Sequence, residues 1–311
     1  MRTIPYGPGS LCLLCNPVAG TGKAAKALEE VKSLLQQAGV RYTVKETQYP
    51  GHGTELARQA AREGYTTLCA LGGDGSVREA AQGLAGTGCV LGIIPCGTGN
   101  DFVKPLGIPT DIPGAVDVLL YGKVLKVNRC RANDQPFINV AGFGFDVDVL
   151  DSVELFKAGT KSGRLAYLKG LFHALGHFHL RQVEYSIDGG QSVSCDCLLI
   201  AAGNGTHIGG GLGITPKADP TDGLLDFCII HDVRGLRDVL ALLPAFFRGT
   251  FLKKTKYVTY CRGKRLFAQC QPPSRIQVDG ERMEGTPVTF SMEEETMQVL
   301  VPSWYKHSEE A

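Results

Sequence analysis

The sequence predicts an α/β protein of two domains, a doubly wound parallel α/β domain and a mainly antiparallel β-sandwich domain. Three observations lead to this prediction. Short apolar strands alternate with helical patterns in the first third of the chain, and glycine-rich turns follow those strands. From residue 123 onward, strand-like segments separated by turn signals replace the alternation. The predicted boundaries are residues 1–127, with residues 292–311 returning to this domain, and residues 128–291.

The alternation in the first domain is read from the spacing of its apolar residues, which follow the helical period in some segments and form short runs in others. The predicted strands are residues 11–15, 42–46, 66–71 and 90–94, and the predicted helices are residues 24–38, 54–62 and a segment that begins at Val77. Strands joined by helices in this way form parallel sheets. Ligands of such sheets bind at the carboxyl ends of the strands, which is where the glycine-rich turns fall.

The second domain is read from short β-prone segments between turn signals such as Asp188-Gly189 and Asp279-Gly280. The predicted strands are residues 124–131, 137–140, 183–187, 192–201, 224–230, 256–261, 265–270, 275–278 and 298–301, the last of which would return to the first domain. Two helical stretches interrupt them, at residues 146–176 with a break near residues 159–163, and at residues 236–247.

Composition excludes several classes of protein. The chain has 311 residues, 43% of them hydrophobic and 20% charged, and a net charge of +1, which gives no electrostatic case for a nucleic-acid partner. The chain has no run of about 18 uncharged apolar residues, so the sequence predicts no membrane span. Eleven scattered cysteines, mostly inside apolar runs, are typical of a reducing compartment. We therefore expect a cytoplasmic protein, and the sequence leaves open whether it forms a homodimer.

One turn, Gly72-Gly73-Asp74-Gly75-Ser76, joins a buried strand to a helix, and we call it the Gly-Gly-Asp-Gly turn. Glycine lets a ligand approach the backbone closely, and the N–H groups and dipole at a helix N-terminus favour a phosphate. An acid at such a position repels phosphate unless a cation lies between them. Asp74 therefore indicates a nucleotide polyphosphate that binds together with Mg²⁺.

Two further loops follow strands of the same predicted sheet. They are Asn16-Pro17-Val18-Ala19-Gly20 and Gly97-Thr98-Gly99-Asn100-Asp101. The chain has no P-loop, because Gly22-Lys23 is followed by Ala24, and it has no Rossmann fingerprint. A single glycine turn is more often a tight turn without a ligand, but three at one edge of a sheet favour a shared phosphate site.

These motifs, with several from the second domain, resemble the diacylglycerol kinase catalytic family, which includes soluble bacterial lipid kinases and, more distantly, sphingosine and ceramide kinases. The second-domain motifs are Gly142-Phe143-Gly144-Phe145-Asp146, Gly203-Asn204-Gly205, Ala218-Asp219 through Asp222-Gly223-Leu224-Leu225-Asp226, and Asp279-Gly280-Glu281. The match runs in family order over almost the full chain. It implies an α/β nucleotide-binding domain and a β-sandwich domain for the lipid substrate, with the active site in the cleft between them.

The resemblance also implies which residues hold ATP. The implied ATP-binding residues are Asn16, Pro17, Val18, Ala19, Gly20, Thr47, Gly72, Gly73, Asp74, Gly75, Ser76, Thr98 and Asn100. Within this set, Asp74 would engage Mg²⁺-ATP, in agreement with the argument that an acid beside phosphate needs a cation.

For the transfer step, the resemblance implies that Glu281 is the general base that takes the proton of the lipid hydroxyl. The alternative is a solvated turn acid, and Glu284 lies three residues further along. Asn128 stands where bacterial members commonly have an Asp that links the base, through water, to the acid equivalent to Asp74. Since Asn carries no charge, either this relay is rebuilt or the base is less activated.

The resemblance further implies a structural Mg²⁺ site formed by Asp219, Asp222 and the carbonyl of Leu224. Hard oxygen ligands on a tight turn suit Mg²⁺. The alternative is an acidic turn that caps a strand without a metal.

Two apolar stripes at helical spacing are candidates for the lipid side. Each has basic residues nearby. The first stripe is Leu165, Leu168, Leu171, Phe172, Leu175 and Phe178, and the second is Leu236, Leu240, Leu243, Phe246 and Phe247. Such a stripe either docks on an anionic bilayer or packs into the core.

The sequence therefore predicts a lipid kinase that transfers the γ-phosphoryl group of ATP to the hydroxyl of diacylglycerol or a similar lipid alcohol. It would act with Mg²⁺, bound transiently to the inner face of the membrane. One open alternative is a soluble kinase of the NAD kinase type, which shares the Gly-Gly-Asp-Gly turn but is not expected to have the turn at residues 97–101. Another is a non-catalytic member that binds nucleotide or lipid, which the uncharged Asn128 favours.

Overall fold

The structure, a computed structural model, describes residues 10–157 and 163–306. The chain divides into two compact units. The first unit is Met1–Arg129 together with Glu294–Ala311, and the second unit is Cys130–Glu293.

Strands and helices alternate along the first unit. Its strands are β1 (Leu11–Cys15), β2 (Tyr42–Glu46), β3 (Thr67–Gly72) and β4 (Val90–Pro95), and its helices are α1 (Ala19–Gln37), α2 (His52–Arg62), α3 (Asp74–Gly83) and α4 (Ile112–Tyr121). Strands β1 and β3 are buried along their whole length, as expected of strands covered by helices on both faces. Strand β5 (Lys123–Ala132) then runs from the first unit into the second.

The strands of the first unit form a parallel sheet. Strand β1 lies between β2 and β3, and β3 lies between β1 and β4. The last strand of the chain, β17 (Val288–Val301), enters the first unit at Glu294 and pairs in parallel with β4 through Val299 and Leu91. The predicted parallel α/β fold is confirmed, and the loops that follow β1, β3 and β4 all leave the same edge of this sheet.

Three helices of the first unit begin earlier than predicted, and for α2 the difference is only from residue 54 to His52. Helix α3 begins at Asp74 and not at Val77, because the backbone of the Gly-Gly-Asp-Gly turn itself forms the first helical turn. Helix α1 begins at Ala19, ahead of the apolar pattern, and its first turns contain Gly20 and Gly22 with φ of +60° and +85°. Glycine reaches these left-handed conformations without a steric penalty, and apolar spacing cannot reveal them.

Helix α4 was not predicted, although its start carries ordinary sequence signals. Asp111 is its N-cap, and the side chain accepts the backbone N–H of Gly114 at 2.8 Å. Pro113 lies in the first turn, where a missing N–H costs nothing.

The second unit is rich in strands, and helices interrupt them. Its elements are β6 (Gln135–Phe137), β7 (Val140–Gly144), α5 (Phe145–Lys157), α6 (Gly163–Gly176), β8 (Arg181–Ile187), β9 (Val193–Gly203), β10 (His207–Ile208), β11 (Leu212–Gly213), β12 (Leu225–His231), α7 (Leu236–Phe247), a short 3₁₀ helix (Phe251–Lys253), β13 (Val258–Gly263), β14 (Arg265–Gln271), β15 (Ile276–Val278) and β16 (Glu281–Met283). The predicted break between the two helices near residues 159–163 falls largely outside the described residues.

The strands of the second unit pair antiparallel around the long strand β9. Its first half pairs with β8 and its second half with β7, while β12 lies along its other edge. Strand β7 also pairs with β15, which in turn pairs with β16. Strand β8 also pairs with β14, which in turn pairs with the first part of β17. The core enclosed by these strands includes the fully buried Phe137, Phe143, Phe227 and Phe290. The predicted β-sandwich-like fold is confirmed.

Helices α5, α6 and α7 cover a second apolar region of this unit. Val149 and Val153 of α5 pack with Leu171 of α6, and Val239 and Leu242 of α7 pack against β9 and β12. Among the helices in the described ranges, none is long and apolar enough to cross a membrane.

Candidate active site

The Gly-Gly-Asp-Gly turn lies between β3 and α3. Gly72 ends β3, and Gly73 is the N-cap residue of α3. Because glycine has no side chain to cap the helix, the N–H groups of the first turn need another partner. No described atom lies within 4 Å of a Cβ placed on Gly75. The helix therefore presents backbone donors beside open space, which is the arrangement that binds phosphate.

Close backbone contacts explain two of the glycines. A Cβ on Gly72 would lie 2.4 Å from Cβ and Oγ of Ser76, and a Cβ on Gly73 would lie 3.1 Å from Cα of Gly97. The N–H of Cys96 also donates to the carbonyl of Gly72 at 2.8 Å. The turn and the loop after β4 thus pack backbone against backbone.

Asn16 connects the loop after β1 to the same turn. Its N–H donates to the carbonyl of Leu71 at 3.2 Å, and its Nδ2 donates to Oγ of Ser76 at 3.3 Å. Its Oδ1 accepts the N–H of Val18 at 3.3 Å. The amide of Asn16 therefore fixes both its own loop and the hydroxyl of Ser76.

The rest of this loop approaches β4 and β2. A Cβ on Gly20 would lie 2.2 Å from the carbonyl oxygen of Cys96, so a larger residue is excluded there. The N–H of Ala19 donates to the carbonyl of Asn16 at 3.0 Å, which closes the loop around Pro17. After β2, the N–H of Thr47 donates to the carbonyl of the last residue of β1 at 2.9 Å.

The loop after β4 is folded on Asn100. Its Oδ1 accepts the N–H of Gly97 at 2.9 Å, and its Nδ2 donates to the carbonyl of Gly97 at 3.1 Å. Asn100 has a φ of +48°, a left-handed conformation that asparagine tolerates. Thr98, at the tip of this loop, is exposed. The predicted ATP-binding residues thus all lie at the carboxyl ends of β1 to β4, as the last residue of a strand, in the loops there or in the first turn of the helix that follows.

Asp74 is anchored by backbone N–H groups of Asp101, at 2.7 Å, and of Phe102, at 3.2 Å, which both donate to its Oδ1. Burial, and secondly the charge of Asp101, raise the pKa of Asp74 above its usual value, although these hydrogen bonds oppose the rise. Lys104 forms an ion pair with Asp101 and donates to the carbonyl of Gly99 at 3.3 Å. A cation beside Asp74 would relieve the cost of its buried charge, so the environment fits Mg²⁺.

Asp101 and Lys104 are parts of this site to which the sequence assigned no role. The signal was present, because an acid ends the glycine-rich loop and a lysine follows three residues later. Their contact with Asp74, however, depends on two loops that are separated in the chain.

In the second unit, Glu281 follows a tight hairpin turn. Asp279 and Gly280 join β15 to β16 with φ of +50° and +84°, the two left-handed residues of a type I′ turn. Glu281 is the first residue of β16, pairs with Val278 and is exposed. The carboxylate of Asp279 accepts three backbone N–H groups near the start of β7. Sequence reasoning had treated Asp279 as part of a motif without a role.

Asn128, the third predicted catalytic residue, lies on β5 in the first unit and is 3% exposed. Its amide is therefore a buried, neutral polar group.

The predicted metal loop is held by its own hydrogen bonds. Oδ1 of Asp219 accepts the N–H and the hydroxyl of Thr221 at 2.9 and 2.6 Å, and Oδ1 of Asp222 accepts the N–H of Leu224 at 2.9 Å. The other oxygen of Asp222 forms an ion pair with Arg262. Across the described ranges, no cluster of three or more His, Cys, Asp or Glu side chains could hold a metal. Two carboxylates and a carbonyl suit a hard cation, but it would compete with Arg262 for Asp222.

An apolar cavity opens in the second unit among α5, α6, α7, β9 and β12, and it encloses about 680 Å³ of empty space with its mouth included. Leucine, valine and isoleucine side chains make most of its wall, together with Tyr167 and Phe246. Asp146 also lines it, although this residue is only 8% exposed. Burial raises the pKa of Asp146 to about 7, while hydrogen bonds from Gln277 and Val147 oppose the rise.

Asp146 is another residue whose place in the structure the sequence did not reveal. It ends the quoted Gly-Phe-Gly-Phe-Asp motif, and an acid directly after an apolar run was the available signal. Only the packing of three helices against two strands shows that it faces a cavity.

Comparison with known proteins supports one family along the whole chain. Residues 10–132 match the family model described as the diacylglycerol kinase catalytic domain, and residues 139–301 match the model described as the YegS C-terminal NAD kinase beta sandwich-like domain. A diacylglycerol kinase of Mycobacterium tuberculosis is 31% identical over 300 residues, which cover 94% of this chain and 96% of the relative. A diacylglycerol kinase of Staphylococcus carnosus is 30% identical over 302 residues, or 96% of each chain.

The fold has a counterpart among solved structures. A crystal structure of a diacylglycerol kinase from Bacillus anthracis matches with a TM-score of 0.72 and 21% identity, covering 95% of this chain and 98% of that chain. At this level of identity the match establishes the fold.

Proposed function

The chain belongs to the diacylglycerol kinase family, and from this membership we propose that it is an ATP- and Mg²⁺-dependent lipid kinase. It would transfer the γ-phosphoryl group of ATP to the hydroxyl of diacylglycerol or a similar lipid alcohol. The observation that carries the proposal is that one chain combines a Gly-Gly-Asp-Gly turn at a helix N-terminus with an apolar cavity lined by one buried acid. The first feature suits a polyphosphate, and the second suits a lipid.

In this proposal the first unit binds the nucleotide. The backbone N–H groups of the first turn of α3 would donate to phosphate oxygens in the open space beside Gly75. Asn16 and Ser76, which are hydrogen-bonded to each other, would line the same space. Thr47, Thr98 and the loop at residues 16–20 complete the proposed set.

Asp74 would hold the metal. Mg²⁺, when bound, neutralises the negative charge of the phosphates and the charge that develops during transfer. The protein's part is to keep Asp74 anionic and fixed, which the two N–H groups donated to its Oδ1 support. Lys104 forms its ion pair with Asp101, so it would not compete with the cation for Asp74.

The second unit would supply the base and hold the lipid. Glu281, an exposed carboxylate after a rigid turn, would accept the proton of the lipid hydroxyl. Asn128 remains a candidate relay residue, and its neutral amide can pass on a hydrogen bond but no charge. The structural Mg²⁺ at Asp219, Asp222 and the Leu224 carbonyl remains a proposal, with Arg262 as its competitor.

The apolar cavity would bind an acyl chain of the lipid. Its wall is almost entirely apolar, which suits a hydrocarbon chain. Leu171 of α6 and Leu242 of α7 both line it and offer only apolar surface. Oδ2 of Asp146 is buried without a hydrogen-bond partner among the described residues, so it would accept a hydrogen bond from the polar end of the lipid.

Members of the two apolar stripes fall into two groups, one that is part of the core and one that is exposed and available for docking. Leu171 and Leu243 line the cavity, whereas other members point outward with exposures between 42% and 62%. These exposed residues are Leu165, Leu168, Phe172, Leu240 and Phe247. Exposed basic residues follow α7, among them Arg248 and Lys253. We therefore extend the proposal to transient docking of this face on an anionic bilayer.

The decisive experiment compares Glu281→Gln with Glu284→Gln in a kinase assay with labelled ATP and a mixed lipid extract. Glu284 is a matched control, because it is another exposed acid three residues away. For Glu281→Gln we expect a loss of turnover on the order of 10²- to 10⁴-fold, with unchanged ATP affinity. For Glu284→Gln we expect wild-type turnover. Labelled NAD⁺ in place of labelled lipid would support the NAD kinase alternative, and ATP binding without transfer to any acceptor would support the non-catalytic one.

A further inference from the structure

We propose that Asp279 is a positioning residue that sets the direction of the Glu281 side chain, supported by Gln277 and by the buried loop Gly203-Asn204-Gly205. This inference rests on the proposed role of Glu281 as the base. It gives functions to three features of the chain that the phosphoryl transfer itself does not use.

Asp279 works as a clamp between the hairpin turn and the start of β7. Its Oδ1 accepts the N–H groups of Asn139 at 2.9 Å and Val140 at 3.1 Å, and its Oδ2 accepts the N–H of Ile138 at 3.0 Å. Its own N–H donates to the carbonyl of Val140 at 3.0 Å. Hydrogen bonds to an ionised acceptor are about twice as strong as neutral ones, so the turn is firmly tied to this backbone segment.

The segment that Asp279 grips is itself held from the other side. Nδ2 of Asn204 donates to the carbonyl of Ile138 at 2.7 Å, and the N–H groups of Asn204 and Gly205 both donate to the carbonyl of Asn139 at 2.8 Å. Asn204 is fully buried, and a Cβ on Gly205 would lie 2.0 Å from Oδ1 of Asn139. The Gly-Asn-Gly motif thus provides the fixed support against which the clamp acts.

Gln277 restrains the second residue of the turn. Its Oε1 accepts the N–H of Gly280 at 2.9 Å, and the whole side chain is buried. Gln277 also interacts with the carboxyl of Asp146 at the wall of the apolar cavity. The turn is therefore connected through one buried side chain to the cavity proposed for the lipid.

These contacts matter for Glu281 because it directly follows the turn that they hold. It is exposed and begins a strand of three residues. The next residue, Arg282, is fixed by ion pairs with Asp151 at 2.7 Å and Glu154 at 2.8 Å on α5. With both flanks fixed, the direction of the Glu281 carboxylate follows from the geometry of the turn.

The same unit contains a matched control in the turn that joins β8 to β9. Asp188 and Gly189 also have left-handed φ values, of +49° and +72°, and Oδ1 of Asp188 accepts the N–H groups of Lys264 at 2.9 Å and Arg265 at 2.8 Å. No proposed catalytic residue follows this turn. Asp188→Asn therefore tests what the loss of such a clamp does to stability alone.

The experiment measures kcat, KM for ATP and melting temperature for Asp279→Asn, Asp188→Asn, Glu281→Gln and the double variant Asp279→Asn/Glu281→Gln. In Asp279→Asn an amide NH₂ replaces one of the oxygens that face N–H donors, so the turn shifts. We expect kcat to fall about 10- to 100-fold with a KM for ATP within about twofold of wild type, because small misplacements of a reacting group are costly. Asp188→Asn should lower the melting temperature similarly but leave kcat unchanged.

The double variant decides whether Asp279 acts through Glu281. If it does, Asp279→Asn adds nothing to the loss already caused by Glu281→Gln. Multiplied losses, or equal losses of kcat in Asp279→Asn and Asp188→Asn, would overturn the positioning role while leaving Glu281 as the base. Wild-type turnover of Glu281→Gln would instead show that the proposed base is wrong, and the positioning role with it.

If Asp279→Asn does not fold, Gln277→Met provides the same test with a milder change. Methionine keeps the volume of the buried side chain and removes the acceptor for the N–H of Gly280. We expect a loss of kcat of about 3- to 10-fold that also disappears in the Glu281→Gln background. An unchanged kcat would overturn the proposal.

Discussion

The Gly-Gly-Asp-Gly turn and the turn that carries Glu281 use glycine for opposite purposes. In the first, Gly72 makes room for the side chain of Ser76 and Gly73 for the backbone of Gly97, and the N–H groups at the start of α3 remain available to a ligand. In the second, Gly280 supplies a left-handed conformation, and its N–H is bound by a side chain of the protein. The first turn is therefore a binding surface, and the second is a support.

The acids of the two turns differ in the same way. Asp74 performs two tasks, because its carboxylate accepts N–H groups of a neighbouring loop and would also hold the metal. In the second turn these tasks are divided between neighbours: Asp279 makes the hydrogen bonds, and Glu281 remains exposed for chemistry. In the first turn, substitution of one residue, Asp74, should therefore affect both anchoring and function. In the second turn, anchoring should depend on Asp279 and function on Glu281.

The largest effect is expected for Asp74→Asn, which tests whether the two tasks of Asp74 can be separated. Asparagine keeps an oxygen for the N–H groups of Asp101 and Phe102 and loses the charge that would hold Mg²⁺. We expect kcat to fall on the order of 1,000-fold. The melting temperature should stay level or rise at neutral pH, because a buried charge whose pKa is raised is removed. Steady-state kinetics and thermal unfolding measure both, and wild-type turnover would contradict the metal-binding role.

A smaller effect is expected when the open space of the first turn is filled. Gly72→Ala brings a methyl group against Ser76 and should cost about 1–3 kcal/mol of unfolding free energy, with a large loss of ATP affinity. Gly75→Ala meets no described atom and lies in a helix, so it should gain up to about 1 kcal/mol while still weakening ATP binding. Calorimetric unfolding and ATP titration distinguish them, and equal stabilities would show that the close contact at Gly72 is not structural.

Asp146 extends the comparison to a third acid, which is buried beside the apolar cavity of the second unit. Its pKa is raised from 3.8 to about 7, so between these values the folded protein holds this proton more tightly than the unfolded chain. The contribution of Asp146 to stability therefore falls as pH rises through this range, by at most about 1.4 kcal/mol per pH unit. The melting temperature of wild type relative to Asp146→Asn should drop between pH 5 and pH 8.

The control for this measurement is Asp134→Asn, which changes an exposed acid of the same unit. Its melting temperature should follow that of wild type at every pH. If the melting temperature of wild type instead rose relative to that of Asp146→Asn as pH increases, the pKa of Asp146 would not be raised in the folded protein.

The smallest effect concerns the acidic loop, where Arg262 and a cation would compete for Asp222. Millimolar Mg²⁺ should raise the melting temperature of wild type by about 1 °C or less, and that of Arg262→Gln by about 2–4 °C. Asp222→Asn in the Arg262→Gln background should remove the response. Equal responses of wild type and Arg262→Gln would indicate that the ion does not bind at this carboxylate.

The comparison of the two turns also shows what a sequence can and cannot predict here. The parallel sheet and the Gly-Gly-Asp-Gly turn were predictable, because apolar spacing and glycine runs are local signals. The starts of α1 and α3 were not, since glycine-rich backbone continues a helix beyond its apolar pattern. The clamp made by Asp279 was hidden because its partner Ile138 lies 141 residues away in the chain. The place of Asp146 in a cavity wall depends likewise on helices that pack together only in the folded unit.

The path of β17 has a consequence for synthesis on the ribosome. The first unit is interrupted after Arg129 and resumes only at Glu294, so the ribosome makes the strand that pairs with β4 only after the whole second unit. Until then the outer edge of β4 has no partner at Leu91, and an unpaired edge invites association with other chains. A nascent chain that stops before residue 294 should therefore depend on chaperones and be prone to aggregate, although every loop proposed to bind ATP has already been made.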